Sequence, residues 1–244
     1  MFATGNNSGV RLSEIDERRF GIKSARVDNL SLADIDPVEV FCQANQVKFL
    51  AARCRTDAVQ LAQSLEARGY RLMDTLVYFK RNLTVDPPPP PSNDLTVIRE
   101  ARTDEALKVK AIAAKAFRGY SAGHYHADAR LDPIKCDEAY ADWAYNSCAS
   151  KGVADHVLVA ESQSDLVGFL AFRRDGEITL NAVVPSFQRK GVYRKLMCHA
   201  LHILKPETTE ALISTQINNI AVQKVWVRLG FEPHSSFYTF HKWF

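Results

Sequence analysis

The residues best suited by type and spacing to do chemistry lie in Asn181–Val192, NAVVPSFQRKGV. An apolar strand end runs into Pro185, then Gln188-Arg189-Lys190-Gly191, then a helix to about Leu204 with Leu196, Met197, Ala200 and Leu204 on one stripe. A helix start carries unpaired N–H groups and the positive end of the dipole, so it suits an anion. Gly191 has no side chain to keep a phosphate off the backbone. Arg189, Lys190, Arg194 and Lys195 add positive charge. An ordinary strand–turn–helix with a solvated basic face has the same local pattern. Downstream, Asn219 opens a helix carrying Trp226 and ending at Gly230-Phe231, and Tyr238 follows. Upstream, the aromatic, Gly-punctuated Phe117–His126 presents Arg118, Tyr120, His124, Tyr125 and His126, polar groups that suit a substrate. His124 and His126 form His-x-His, but no third ligand is announced, so no metal is expected.

The elements that must position these groups read as mixed α/β. Ahead of the site, Pro37–Ala44 is a helix and Val47–Ala51 a strand. Thr56-Asp57 is expected to cap a helix with Ala58, Leu61, Ala62 and Leu65 on one face, ended by Gly69. Tyr70–Lys80 is a strand. This helix–Gly–aromatic–strand unit recurs at the far end, where Ala221-Val222-Gln223, Gly230-Phe231 and Phe240-His241-Lys242 parallel Ala58-Val59-Gln60, Gly69-Tyr70 and Phe79-Lys80, with spacings that differ by two residues. The first segment is therefore expected to be a degenerate half of the same fold, the alternative being a chance likeness of a common helix–Gly–strand unit. A run of five prolines in Asp86–Pro91 favours an extended spacer. The expected division is 1–85, a small α/β domain; 86–94, a linker; and 95–244, the domain with the basic turn. In the last, strand, helix and helix lead to strands at His156–Glu161, Leu166–Arg173 and Glu177–Val184. The basic turn and its helix follow, then Ala211–Gln216, the Asn219 helix and Phe237–Trp243.

The 244 residues suffice for one large or two small cores. A net charge of +3 is too small to argue for nucleic acid, and no apolar run approaches a membrane span. Five scattered cysteines without Cys-x-x-Cys, and no secretory pattern at Met1–Glu14, point to reduced thiols in a cytoplasmic protein.

Gln188-x-x-Gly191 resembles the pyrophosphate loop of the GNAT acyltransferases, with Tyr193 departing at the last small position. Asn219, Trp226 and Gly230-Phe231 resemble the second half of that superfamily's CoA site. The resemblance implies a mixed, mostly antiparallel sheet flanked by helices, with acetyl-CoA or another short acyl-CoA as co-substrate. It implies amides of Arg189, Gly191, Val192, Tyr193 and Arg194 on the pyrophosphate and Asn219 on the pantetheine arm. Backbone at Val183 and Val184 would bond the pantetheine, one N–H acting as an oxyanion donor worth about 2.7–4 kcal/mol. Tyr238 would be the general acid for the leaving thiolate. Phe20-Gly21-Ile22, Ala25-Arg26-Val27, Gly69–Phe79, Thr215-Gln216 and Ser235–Tyr238 further resemble the branch that acylates TDP-linked amino-dideoxyhexoses for surface polysaccharides. That branch implies a nucleotide-linked amino sugar as acceptor and is compatible with a homodimer. Another small amine or a peptide as acceptor, and a non-catalytic CoA-binding protein, are the alternatives.

Overall fold

The computed structural model describes residues 9–89, 96–150 and 152–244; the linker reading at 90–94 lies outside them. The chain opens with β1 (Arg11–Leu12), helix α1 (Glu14–Phe20), β2 (Ser24–Val27), α2 (Ile35–Ala44), β3 (Phe49–Arg55), α3 (Val59–Ala67) and β4 (Arg71–Asn82). It continues with β5 (Val97–Glu100), α4 (Ala106–Ala116), α5 (His124–Ala127), α6 (Pro133–Ala149), β6 (His156–Ser162), β7 (Asp165–Phe172) and β8 (Glu177–Val183). Helix α7 (Val192–Leu204), β9 (Glu210–Gln216), α8 (Ile220–Arg228) and β10 (Glu232–Trp243) complete it. Gly21 ends helix α1 at φ 69°. One local expectation changes. Thr56 and Asp57 do not cap α3: Asp57 pairs with Arg55 at 2.7 Å, and the Thr56 N–H donates to the Ser236 carbonyl at 3.1 Å.

All ten strands form one sheet in the order β1-β2-β3-β10-β4-β9-β8-β7-β6-β5. Among the described residues, only β2 with β3 and β8 with β9 run parallel. Strand β10 lies between β3 and β4, and β4 pairs in turn with β9. The proline-rich stretch thus divides the sequence but not the sheet.

The middle of the order, β2-β3-β10-β4-β9-β8, reads the same when the two halves of the chain are exchanged. Each half supplies a parallel pair, a helix and a long last strand, and each last strand is given to the other half. β3 and β9 have 7 residues each, α3 and α8 have 9, β4 and β10 have 12. Gly69 (φ 80°) matches Gly230 (φ 81°). The Tyr70 N–H reaches the Leu65 carbonyl at 3.0 Å, as Phe231 reaches Trp226 at 3.0 Å. The two-residue slip in the sequence pairing disappears: Ala58 (φ −86°, ψ 58°) matches Asn219 (φ −81°, ψ 59°), not Ala221.

Apolar residues cover both sheet faces. One face carries α2 and α3 over Leu50, Ala52, Cys54 and Phe240, and α7 and α8 over Phe79, Ala211 and Ile213. The opposite face carries α4 and α6 over Val159, Phe169 and Leu180, and α1, α5 and α6 residues over Phe49 and Ala51. All five cysteines are free.

Candidate active site

The site begins where two parallel strands part. β8 and β9 are paired only at Glu177–Leu212 and Ile178–Ile213. The Val184 N–H donates to the Val167 carbonyl at 2.9 Å, so strand alternation turns the backbone of Val183 and Asn181 toward β9. The expectation for this pair is therefore corrected in part. Val183 presents its N–H to the opening, while the Val184 N–H is consumed by β7. The Val183 carbonyl accepts from Gln188 Nε2 at 3.1 Å, which folds the basic turn back over the strand end. Across the opening, the Ile217 N–H donates to the Thr75 carbonyl at 2.8 Å, leaving the backbone of Ser214 and Gln216 on the β8 side.

Gly191 (φ 80°) sits at the start of α7 in the left-handed region, and Arg189 (φ 62°) precedes it there. The helix begins its own bonding with the Lys195 N–H to the Gly191 carbonyl at 3.0 Å. The amides of Val192, Tyr193 and Arg194 belong to the first turn, which has no earlier helical carbonyl to bond. With exposed Arg189 and Lys190 beside them, these groups fit a pyrophosphate. Lys195 donates to the Thr96 carbonyl at 2.6 Å. Tyr193 departs from the loop pattern for a structural reason: its hydroxyl accepts from Trp226 Nε1 at 2.7 Å, tying α7 to α8, and burial pushes its phenol pKa up. Asn219 stands at the start of α8, its Nδ2 donating to Thr215 Oγ1 at 3.0 Å. The groups expected for CoA thus converge on the α7/α8 face of the opening.

On the opposite face the opening meets a polar stripe. Tyr120 donates from its hydroxyl to Gln216 Oε1 at 2.7 Å, and Gln216 Nε2 donates to Asp74 Oδ2 at 3.2 Å. Asp74 is 8% exposed, and its Oδ1 has no hydrogen-bond partner among the described residues. Burial raises the Tyr120 phenol, and Asp74 adds to the rise. Beyond Asp74, Thr239 lies opposite it on β10, and a small cavity follows, lined by Arg26, Asp28, Ala51, Arg53, His124 and Thr239.

Of the substrate residues expected in Phe117–His126, Tyr120 and His124 face this stripe. Tyr125 is spent inside the fold, donating to Asp16 Oδ1 at 2.6 Å and bonded to Arg26. His126 lies against Asp137 at 2.9 Å, and Arg118 is exposed. Tyr238 is not brought to the opening. The exchange of last strands seats β10 beside β3, so β4 stands between Tyr238 and β9. Two strand spacings, about 9–10 Å, separate the backbones. The Tyr238 ring packs with the α2/α3 cluster, 6.2 Å from Phe240.

Asp74, Gln216, Asp128 and His241 carry no site role in the sequence reading, although all but Asp128 lie in stretches quoted there. Asp74 had a signal, since it opens the run Asp-Thr-Leu-Val-Tyr-Phe as the one carboxylate in β4. Asp128 and His241 lie far apart in the chain, and only the fold joins them.

Residues 136–242 match the acetyltransferase (GNAT) domain family. The spore coat polysaccharide biosynthesis protein SpsD of Bacillus subtilis (strain 168) is 26% identical over 140 residues, 55% of this chain. The match spans 47% of that relative, about half its length. A GCN5-related N-acetyltransferase from Sphaerobacter thermophilus superposes with TM-score 0.66 at 12% identity, covering 96% of this chain and 76% of that one. A tandem GNAT protein from the clavulanic acid biosynthesis pathway superposes with TM-score 0.59 at 13% identity, covering 91% and 76%. These structures share the fold, including its first half. Residues 136–242 thus match the acetyltransferase (GNAT) domain model, and the rest of the chain shares the fold of these structures.

Proposed function

We propose that the chain transfers an acetyl or other short acyl group from acyl-CoA to the amine of a nucleotide-linked amino-dideoxyhexose, for a surface polysaccharide. The observation that carries the acceptor's chemistry is Asp74. A buried carboxylate with one unpartnered oxygen beside the opening fits an incoming ammonium. The sugar class is supported by the printed name of the relative from B. subtilis and by residues in both halves that resemble the sugar-acylating branch. The acyl-CoA supplies an activated thioester. Val183 offers its N–H to the thioester carbonyl, the α7 turn holds the pyrophosphate, and Asn219 contacts the pantetheine arm. Asp74, Tyr120 and Gln216 orient the amine for direct attack, with no acyl-enzyme. Cytoplasmic acyl-CoA and a sugar nucleotide are the implied partners.

Tyr238 keeps the acid role in this reading only if Tyr238→Phe lowers kcat; the intervening β4 argues for little change. The test is thiol release from acetyl-CoA with a panel of a TDP-amino-dideoxyhexose, an aminoglycoside and a peptide amine. Release with the sugar nucleotide alone supports the reading. Release with another amine keeps the enzyme and changes its acceptor. Acetyl-CoA binding without release from any amine favours a non-catalytic CoA-binding protein.

A further inference from the structure

Three buried groups from distant parts of the chain meet in a line at the cavity beside Asp74. His124 Nδ1 lies 2.9 Å from His241 Nε2, and His241 Nδ1 lies 3.0 Å from Asp128 Oδ2. His124 is 7% exposed, His241 is fully buried and Asp128 is 4% exposed. Asp128 is held on its other sides by Trp243 Nε1 at 2.8 Å and Arg130 Nε at 3.0 Å. Burial alone would raise the Asp128 pKa, but these hydrogen bonds hold it well below the usual carboxylate range, so it only accepts. Direction then propagates. His241 donates from Nδ1–H, its bare Nε2 accepts from His124 Nδ1–H, and His124 is left with a lone pair on Nε2. His124 lines the cavity with Arg26, Asp28, Arg53 and Thr239.

Resting on the acyl-transfer reading above, we propose that His124 is the proton acceptor for the acceptor amine, with His241 and Asp128 as the positioning residues that keep its Nε2 bare. An ammonium cannot attack; one proton must leave it first. His124 Nε2 takes that proton, directly or through one water. Its own Nδ1 proton passes to His241 Nε2, so the cation rests on His241 beside ionised Asp128. The neutral amine then forms the C–N bond as the C–S bond breaks. The amine's second proton balances the one the leaving thiolate acquires, and the first returns through the chain to solvent. Net, one proton is released per acyl group transferred.

The groups facing His124 decide where the proton's charge can rest. His241 and Thr239 of β10, Tyr125 of α5, Arg26 of β2, Asp28 just after it and Arg53 of β3 surround it, and Asp74 of β4 acts on His241. Burial, then His241, Arg53 and Arg26, push the His124 pKa well down, so the Nε2 lone pair stays free and the charge cannot rest on His124 itself. Burial also lowers His241, but Asp128 opposes that fall, which makes His241 the better seat for the charge.

The experiment uses the full chain. Nitrogen-15 NMR of the imidazoles in wild type is expected to show His124 protonated at Nδ1 and bare at Nε2. Asp128→Asn, whose amide can donate to His241, is expected to invert both tautomers. Thiol release by His124→Asn and by Asp128→Asn is then followed against pH with the amine that wild type accepts. About 10²–10⁴-fold loss at pH 7 is expected, shrinking as pH approaches the amine's own pKa, with acetyl-CoA affinity unchanged. A purely structural role gives a loss equal at every pH, and that result overturns the proposal. So does an Nε2–H tautomer in wild type, or an undiminished His124→Asn enzyme. If wild type neither binds acetyl-CoA nor releases thiol with any amine, the acyl-transfer reading fails and takes the relay with it. Full wild-type turnover beside an unaffected His124→Asn removes the relay alone.

Discussion

Asp74→Asn separates binding from folding because its two effects have opposite signs. In the free protein Asp74 is a buried carboxylate with one oxygen satisfied by Gln216 and the other unpartnered. An unsatisfied buried polar atom costs about 1–3 kcal/mol, more when charged. Asparagine keeps an oxygen for Gln216 and removes the charge, so stability should rise by roughly 1 kcal/mol. For a chain of this size that is about 2–4 °C in Tm. In the acceptor complex the sign reverses. Losing one partner of a buried, hydrogen-bonded charge pair costs about 2–5 kcal/mol, so kcat/KM for the amine should fall roughly 30- to 4000-fold. The proposed acyl-CoA site lies on the opposite side of the opening, so its Kd should change less than about 2-fold. The assay pairs differential scanning calorimetry with thiol release at varied acceptor concentration. An Asp74→Asn protein that melts lower and acylates as well as wild type would refute the reasoning, since Asp74 would then be a structural anchor.

Tyr238→Phe should change kcat by less than about 3-fold, whereas Tyr120→Phe should cost kcat/KM roughly 2- to 13-fold, one hydrogen bond of about 0.5–1.5 kcal/mol; steady-state kinetics of the two decides between the tyrosines. Gly191→Ala forces a side chain into the left-handed region at the head of α7, a strain of about 1–2 kcal/mol. It also crowds the anion turn, so acetyl-CoA affinity by calorimetry should weaken at least about 10-fold. The matched glycines give a stability test. Gly69→Ala incurs the left-handed strain with only Lys242 Nζ nearby, at 3.7 Å. Gly230→Ala adds a collision with the Arg81 guanidinium, which donates to the Leu229 carbonyl. Chemical denaturation should therefore find Gly230→Ala the more damaging, and equal losses would contradict the packing described for Arg81.

Much of the second half was legible because its signals are local. The Gln188–Gly191 turn, the helix after it and the Asn219–Phe231 unit depend on backbone freedom, caps and helical spacing within about fifteen residues. The repeat was visible too, but only as a faint one. Its anchors are two glycines in the left-handed region, while the residues between them have diverged, so the sequence alignment slipped where the backbone did not.

The sequence by itself indicated most of the elements, their order, the basic turn and the match of residues 136–242 to the acetyltransferase (GNAT) domain. Tertiary structure decided which strand sits beside which. Two last strands of equal length and similar pattern can each complete either half, and nothing local distinguishes the choices. Their exchange carries Tyr238 away from β9 and brings Asp74 beside it. It also sets His241 under α5, within reach of His124 and Asp128. Strand pairing is a long-range selection among nearly equivalent partners, so the residues that depend on it are unreadable until the sheet is assembled.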